Sequence, residues 1–358
     1  MGARAVWAMT AKEFRQLRRD RRTVALLVFQ PLIMLIVFGY AVGFDVEEIA
    51  TSIHGPQAER TADALPPALE VETIDAAGGR DAAEAALRGG DVTVAVVTDG
   101  GVDAVLVDGS QLFAARSAVG VLRGAGLPVE PEILYNPDLA SPPVLVPGLA
   151  GLVMAFVGTI ATSLGIVRER QAGTMEQLAV MPFRAVDVLA GKLVPYLLVG
   201  LLDLVLVVGA AITVFDVPFN GSWLLFATGA VVFLVVTLGL GLFISTVSEN
   251  QGQAMQLALM VTLPQVLLSG MIFPLDAMPE VLTWVSYVLP LTWFVQVAVG
   301  VMLRAATWAD LAVPLLALGV QALVVFVLSV VRVRRDLLPA TGRGRAARHD
   351  DAPVAVDA

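Results

Sequence analysis

Six runs of this chain are each long and apolar enough to cross a lipid bilayer, and nothing else in the sequence constrains the fold as strongly. A helix spans the hydrocarbon core with about 20 mostly apolar residues at about 1.5 Å rise each. The runs are Thr23–Gly43, Leu145–Val167, Leu193–Phe215, Leu224–Ser245, Ala254–Leu275 and Leu311–Val331, and Asp203 is the one ionisable residue inside them. A seventh run, Val281–Leu303, is long enough, but Pro290 breaks it and aromatic residues crowd it. Composition agrees. Of 358 residues 57% are apolar and 15% charged, with mean hydropathy +0.79, whereas a soluble protein is about one quarter charged. A soluble core, a disordered chain and a collagen-like chain are all excluded. With no cysteine, disulfides, thiolate metal sites and a cysteine nucleophile are excluded as well. The two histidines, His54 and His349, lie too far apart to suggest a histidine-rich zinc site. No catalytic, cofactor or metal site is expected, and the net charge of −9 argues against nucleic acid as a partner.

Orientation follows from where Lys and Arg fall. Residues 1–22 carry seven, the loop 168–192 carries four and the stretch after Val331 carries six. These 17 of 23 share one side of the membrane only if the chain crosses an even number of times. The region 44–144, by contrast, has 17 acidic and 5 basic residues. The expected fold is therefore membrane α-helical. It has six transmembrane helices with both termini cytoplasmic, a re-entrant outer hairpin over 276–303, and a small α+β extracytoplasmic domain over 44–144, between helices 1 (23–43) and 2. Helices 2 to 6 occupy the membrane domain, 145–335. Trp223, Trp284, Trp293 and Trp308 would then lie at the outer interface, where indoles prefer to sit.

The ends of the chain read differently. In residues 1–22, Trp7, Thr10, Phe14 and Leu17 share one helix face, opposite Lys12, Arg15, Arg18 and Arg19. This suits an amphipathic helix on the inner leaflet, although a plain positive-inside anchor needs the same charges. A secretory signal is a competing reading, with Arg21–Arg22 before the apolar run and Ala41-Val42-Gly43 as a cleavage site. The run is long for a signal core. The polar, Arg-bearing tail 336–358 is expected to be disordered.

Within 44–144, Val92, Val94 and Val96 alternate with small or polar residues, a strand period. AVLVD at 104–108 and LEVETI at 69–74 read as further strands, and RDAAEAALRGG between them as a helix with a glycine stop. Ser110 is placed to cap a helix in which Leu112, Ala115, Val119 and Leu122 share a face. The Pro-rich stretch Gly124–Pro147 reads as the connector to the membrane. The domain's acidity could attract cationic substrates or partners, or could be a solvated face.

The loop 168–192 is the most informative stretch. Thr174 with Gln177 three residues on is a capping-box pattern, and Glu176 suits the positive end of a helix dipole. Gly173 and Pro182 bound a short helix around Met175–Val180. By physical chemistry alone this is either a tidy connection or a docking element. The residues ERQAGTMEQL at 169–178, Pro182 and Gly191-Lys192 resemble the membrane subunit, or permease, of type-2 ABC transporters, a group of bacterial exporters. So does LLSGMIFPLDAMPEVLTWVSYVLPLTW at 267–293, which is similar to that family's outer hairpin. DVEEI at 45–49, YNPD at 135–138 and VPGL at 146–149 resemble its subgroup with a large outer domain.

The resemblance covers roughly residues 10–335. It implies that Glu169, Gly173, Thr174, Glu176, Gln177 and Leu178 form a coupling helix docking on a separate ABC ATPase subunit. It also implies a second permease copy (the same chain or a related one) and a multi-pass place in a bacterial plasma membrane. ATP and Mg would be bound by the partner ATPase, since no Gly-x-x-x-x-Gly-Lys-Ser/Thr loop occurs here.

In the membrane, Asp203 is a candidate for the translocation path, or a protonated group bonded to a neighbouring helix. Gln265, the second path candidate, reads first as a hydrogen-bonding bridge between helices, as do Gln30 and Gln321. Gln30-Pro31 and Pro264-Gln265 suggest kinks. Charge-poor walls favour a hydrophobic or amphiphilic cargo, a drug or a lipid-like molecule. An ion-coupled transporter should show inverted repeats and paired intramembrane charges, and neither is found. A membrane sensor or scaffold with a ligand-binding outer domain is the other alternative.

Overall fold

A computed structural model of the chain describes residues 48–125, 129–172 and 185–337. The first apolar run, the amphipathic N-terminal segment, the loop residues 173–184 and the tail beyond Leu337 lie outside the described residues. What is described divides into a five-stranded sheet with its helices and an apolar helical bundle.

The sheet is built from β1 (Ile49–His54), β2 (Leu69–Asp75), β3 (Val94–Thr98), β4 (Val102–Asp108) and β5 (Glu132–Leu134), in the order β2-β1-β3-β4-β5. β1 is parallel to β2 and β3, β4 is antiparallel to β3, and β5 is parallel to β4. The chain thus enters at the start of β1 and leaves at the end of β5 on the same end of the sheet. Helices α1 (Ala58–Ala62) and α3 (Leu112–Gly124) pack one face, on Ile49, Ile53, Val94 and Val105. Helix α2 (Arg80–Gly89) covers the other, through Ala83 and Leu87 on Ala95 and Leu106. Gly90 ends α2 at φ +83, a left-handed value that a glycine adopts without strain.

Two strands go beyond the sequence reading. β1 carries Thr51, Ser52 and His54 at buried positions, so it lacks the apolar run of a buried parallel strand. β5 lies inside the stretch read as a connector. Ser110 does not cap α3: Gln111 precedes the helix without a side-chain cap, and the Ser110 hydroxyl is buried without a partner.

The bundle begins with α4 (Ser141–Phe156), which passes through a π-turn at Val157–Ala161 into α5 (Thr162–Gln171), a continuous 31-residue span. α6 (Ala185–Val214), α7 (Trp223–Val247) and α11 (Ala312–Leu337) supply three more helices of membrane-crossing length and hydropathy. α7 is the most buried span, packed on α11, α5 and α10. α6 and α11 turn apolar side chains outward, Leu198, Leu202 and Val205 on one and Leu316 and Leu323 on the other. In water such a surface would be a liability, and in lipid it is the expected face.

The run Ala254–Leu275 is not one helix. α8 spans Gln251–Leu268, and Gly270 (φ +78), Pro274 and a 3-10 turn at Leu275–Ala277 divert the chain. Gln251, Gln253 and Gln256 in its first two turns also make α8 less apolar than the other spans. α9 (Glu280–Val288) and α10 (Pro290–Met302) follow, bent by 83° at Leu289. The described residues therefore hold four span-length helices, or five if the bent pair counts as one.

Candidate functional site

Three places concentrate polar chemistry, and the sequence explains each. The first is the far end of the α4–α5 span, about 46 Å along the helix from Ser141. There the Arg170 guanidinium donates to the Ser245 carbonyl (3.0 Å) and to the Ser248 carbonyl at the end of α7, and Gln251 Nε2 donates to Gln171 Oε1 (3.0 Å). Arg170 thus satisfies carbonyls that the last turn of α7 leaves without intrahelical partners. Glu169 sits one residue before Arg170 in α5. Gly173, Thr174, Glu176, Gln177 and Leu178 lie outside the described residues.

The second place is the 83° break. Inside an apolar bundle every backbone group freed by a break needs a partner. Here the last three carbonyls of α9 are each met by a side chain. Thr292 Oγ1 donates to Ser286 O (2.6 Å), Trp293 Nε1 to Tyr287 O (2.8 Å) and Gln321 Nε2 to Val288 O (3.1 Å). Pro290 opens α10, where a missing N–H costs nothing. The next amide, Leu291 N, donates to Gln265 Oε1 (3.4 Å), while Gln265 Nε2 donates to Val261 O (3.1 Å). Gln265 is fully buried with both ends of its amide engaged. Asp203 lies apart from this cluster, half-buried on α6 between exposed Leu202 and buried Leu204. Among the described residues it has no hydrogen-bond or ion-pair partner. The structure does not bring the two path candidates together.

The third place joins the bundle to the sheet. Leu303–Ala305 follow α10, and Arg304 turns into the sheet domain, 7% exposed, with Nη1 3.5 Å from Oδ2 of fully buried Asp108. Burial pushes the Asp108 carboxyl upward from its usual range. The Arg304 charge and hydrogen bonds from Ser110 and Gln111 oppose that push. Tyr135 packs against both the bundle core and the α2 face of the sheet. None of these contacts is visible in a motif. The one available signal is that Arg304 is the only Lys or Arg between Leu193 and Val331.

At the opposite end of the sheet, His54 Nε2 pairs with Ser52 Oγ (3.0 Å), and His54 Nδ1 lies 3.8 Å from Asp75 Oδ2. The order serine, histidine, carboxylate resembles a nucleophile and its base. Ser52, however, is fully buried, so a substrate cannot reach its hydroxyl. Desolvation lowers the His54 pKa, and Asp75 partly offsets this.

Comparisons with known proteins address the whole chain. Residues 21–331 match the family described as ABC-2 family transporter protein. The chain is 31% identical over 370 residues to the probable multidrug ABC transporter permease YbhS of Escherichia coli, covering 93% of this chain and 98% of that protein. It is 31% identical over 191 residues to the probable multidrug ABC transporter permease YbhR of the same organism, 52% of each chain. It is also 30% identical over 219 residues to the inner membrane transport permease YhhJ, covering 58% of this chain and 56% of that one.

Proposed function

The chain belongs to the ABC-2 transporter family, and from that premise we propose that it is the permease of an exporter moving a drug or lipid-like molecule out of the cytoplasm or inner leaflet. Membership itself makes the chain a membrane-embedded permease rather than an enzyme, and implies an ABC ATPase subunit as its partner. The observation carrying the export reading is the end-to-end match to a relative described as a probable multidrug permease. The charge-poor bundle supports an apolar or amphiphilic cargo.

In this reading six helices cross a bacterial plasma membrane with both termini in the cytoplasm. The domain 44–144 lies outside, the hairpin 276–303 faces it, and a second permease copy completes the pore. ATP and Mg stay on the ATPase. Glu169, Gly173, Thr174, Glu176, Gln177 and Leu178 dock on that subunit. The root of this segment supports such a role, because Arg170 and Gln171 fasten it to the ends of α7 and α8. A push delivered there passes straight into two further helices. Asp203, partnerless on α6 among the described residues, is the path group that meets a cationic or hydroxyl-bearing part of the cargo. Gln265 takes part by holding the break beside the path.

The test is co-purification of the full chain with the products of its neighbouring genes in mild detergent. A stoichiometric ATPase that is lost on Glu176→Lys is the expected result. An ATPase retained by that variant would move the docking site elsewhere, and no ATPase under cross-linking would defeat the reading.

A further inference from the structure

The sheet domain touches the bent helix pair at two places, one before it and one after it. Before α9, Ala277 of the 3-10 turn packs on the sheet's α1–α3 core. After α10, Arg304 reaches Asp108 at the end of β4. The second contact is specifically built. Gly90 leaves the room that the guanidinium fills: a Cβ there would lie 2.6 Å from Arg304 Cζ and 2.8 Å from Nη2. Gly300 gives similar clearance on the helix side, at 3.2 Å from Nη2. Asp108 is held to its task by Ser110 N on Oδ1 (2.9 Å) and Gln111 Nε2 on Oδ2 (3.4 Å). Gln111 in turn donates to Gly90 O (3.3 Å). On the bundle side Asn220 pins the segment that carries Arg304, through its own N–H to Met302 O and its Nδ2 to Leu303 O, both 3.0 Å. A charge pair buried this completely contributes little net stability, but removing one partner strands the other charge in the interior. Its selective use is to fix one arrangement of two bodies.

We propose that the sheet domain is a clamp on the bent helix pair, closed by the Asp108–Arg304 ion pair, and that Arg304 is the positioning residue through which the domain sets the attitude of α9 and α10. The clamp does not depend on the export reading, because the contacts exist whatever the cargo. The α9–α10 pair cannot tilt as a unit without either carrying the domain along or opening the pair. Motion of the hairpin is therefore coupled to motion of the domain.

The test uses the full chain in lipid nanodiscs, where the absence of native cysteine lets spin labels attach only where placed. One label pair joins Glu70→Cys on β2 to Val281→Cys on α9, and a second joins Glu70→Cys to Arg123→Cys within the domain. The expected result is that Arg304→Met widens the Glu70–Val281 distance distribution at least about twofold and leaves Glu70–Arg123 unchanged. Asp108→Asn, which keeps the shape of the side chain, produces the same pattern and serves if Arg304→Met does not insert. Unchanged Glu70–Val281 distances in both variants would overturn the clamp. Joint widening of both label pairs would also overturn it, because the ion pair would then belong to the domain's own fold.

Discussion

At Val157–Ala161 an apolar helix loosens into a π-turn and continues as one 31-residue span, whereas at Leu289 another apolar helix stops and turns by 83°. Both interruptions free backbone groups, and they differ in what answers them. The π-turn is met by backbone proximity. Gly158 lies against Thr237, Thr159 Oγ1 donates to Thr237 O (3.3 Å), and Gly241 lets α7 approach close to Thr159 O and Gly158 O. At Leu289 the answer comes from side chains on three other elements or turns: Gln265, Gln321, Thr292 and Trp293. Small residues permit an interruption that keeps its direction. Long polar side chains permit one that changes it.

The sharpest way to break this contrast is at the π-turn. In Gly241→Val the new Cβ would sit 2.6 Å from Thr159 O and 3.0 Å from Gly158 O, and backbone cannot swing aside. We expect about 3 kcal/mol of destabilisation, read as a large drop in unfolding temperature in detergent. A near-neutral result would mean that close approach is not what accommodates the π-turn. At the break, Gln265→Leu leaves Leu291 N–H without its partner, and about 1–2 kcal/mol is expected. Infrared or solid-state NMR of the labelled Leu291 amide should report a freed N–H, and an unchanged signal would show that water or another group already serves it. Thr292→Val removes one of several bonds at the same corner and should cost only about 0.6 kcal/mol, the usual scale for a bond within a bilayer, measured by the same melt.

The smallest effect separates both interruptions from the sheet. The side chains that answer either break do not titrate near neutrality, whereas His54 is an imidazole whose pKa burial lowers. Because its folded pKa lies below the ordinary 6.5, the unfolded chain binds the proton first as pH falls. The stability His54 contributes is complete above about pH 6.5 and is lost as acid is added. Amide exchange in β1 and β3, corrected for intrinsic rates, should quicken on moving from about pH 7.5 to about pH 5.5 while the α9–α10 corner stays protected. A sheet indifferent to that change would remove the desolvated histidine from the account.

How much of this was legible in the sequence varies with the kind of residue. α7 and α11 announce themselves as long apolar runs, and β3 and β4 through alternating valines. Pro290 marks the corner at Leu289, and Pro264-Gln265 marks a polar group nearby, but neither shows that Gln265 and Gln321 both bond to that corner. β1 is hidden because Thr51 bonds to Ile49 O and Ser52 to His54, so polar residues are buried at little cost within their own strand. β5 is three residues long, between Pro131 and Pro137. Arg304 is a solitary cation between Leu193 and Val331 but belongs to no motif that gives it a role, while its partner Asp108 is one of 17 acids in its region and carries no mark of its own. Pair contacts between distant segments leave no periodicity to read.

The sheet's strand directions have one more consequence. The start of β1 and the end of β5 lie at the same end of the sheet with two strands between them, so the points where the chain arrives and departs are about 14 Å apart. That gap is about half as wide again as the 8–10 Å at which packed helices sit side by side. A domain with such neighbouring ends behaves as an interchangeable cassette. It can be exchanged for a larger or smaller insert without moving the two points where the chain enters and leaves, and an exchanged cassette that kept the clamp would have to re-create a buried acid to receive Arg304, the clearance that Gly90 gives it and an apolar surface for Ala277.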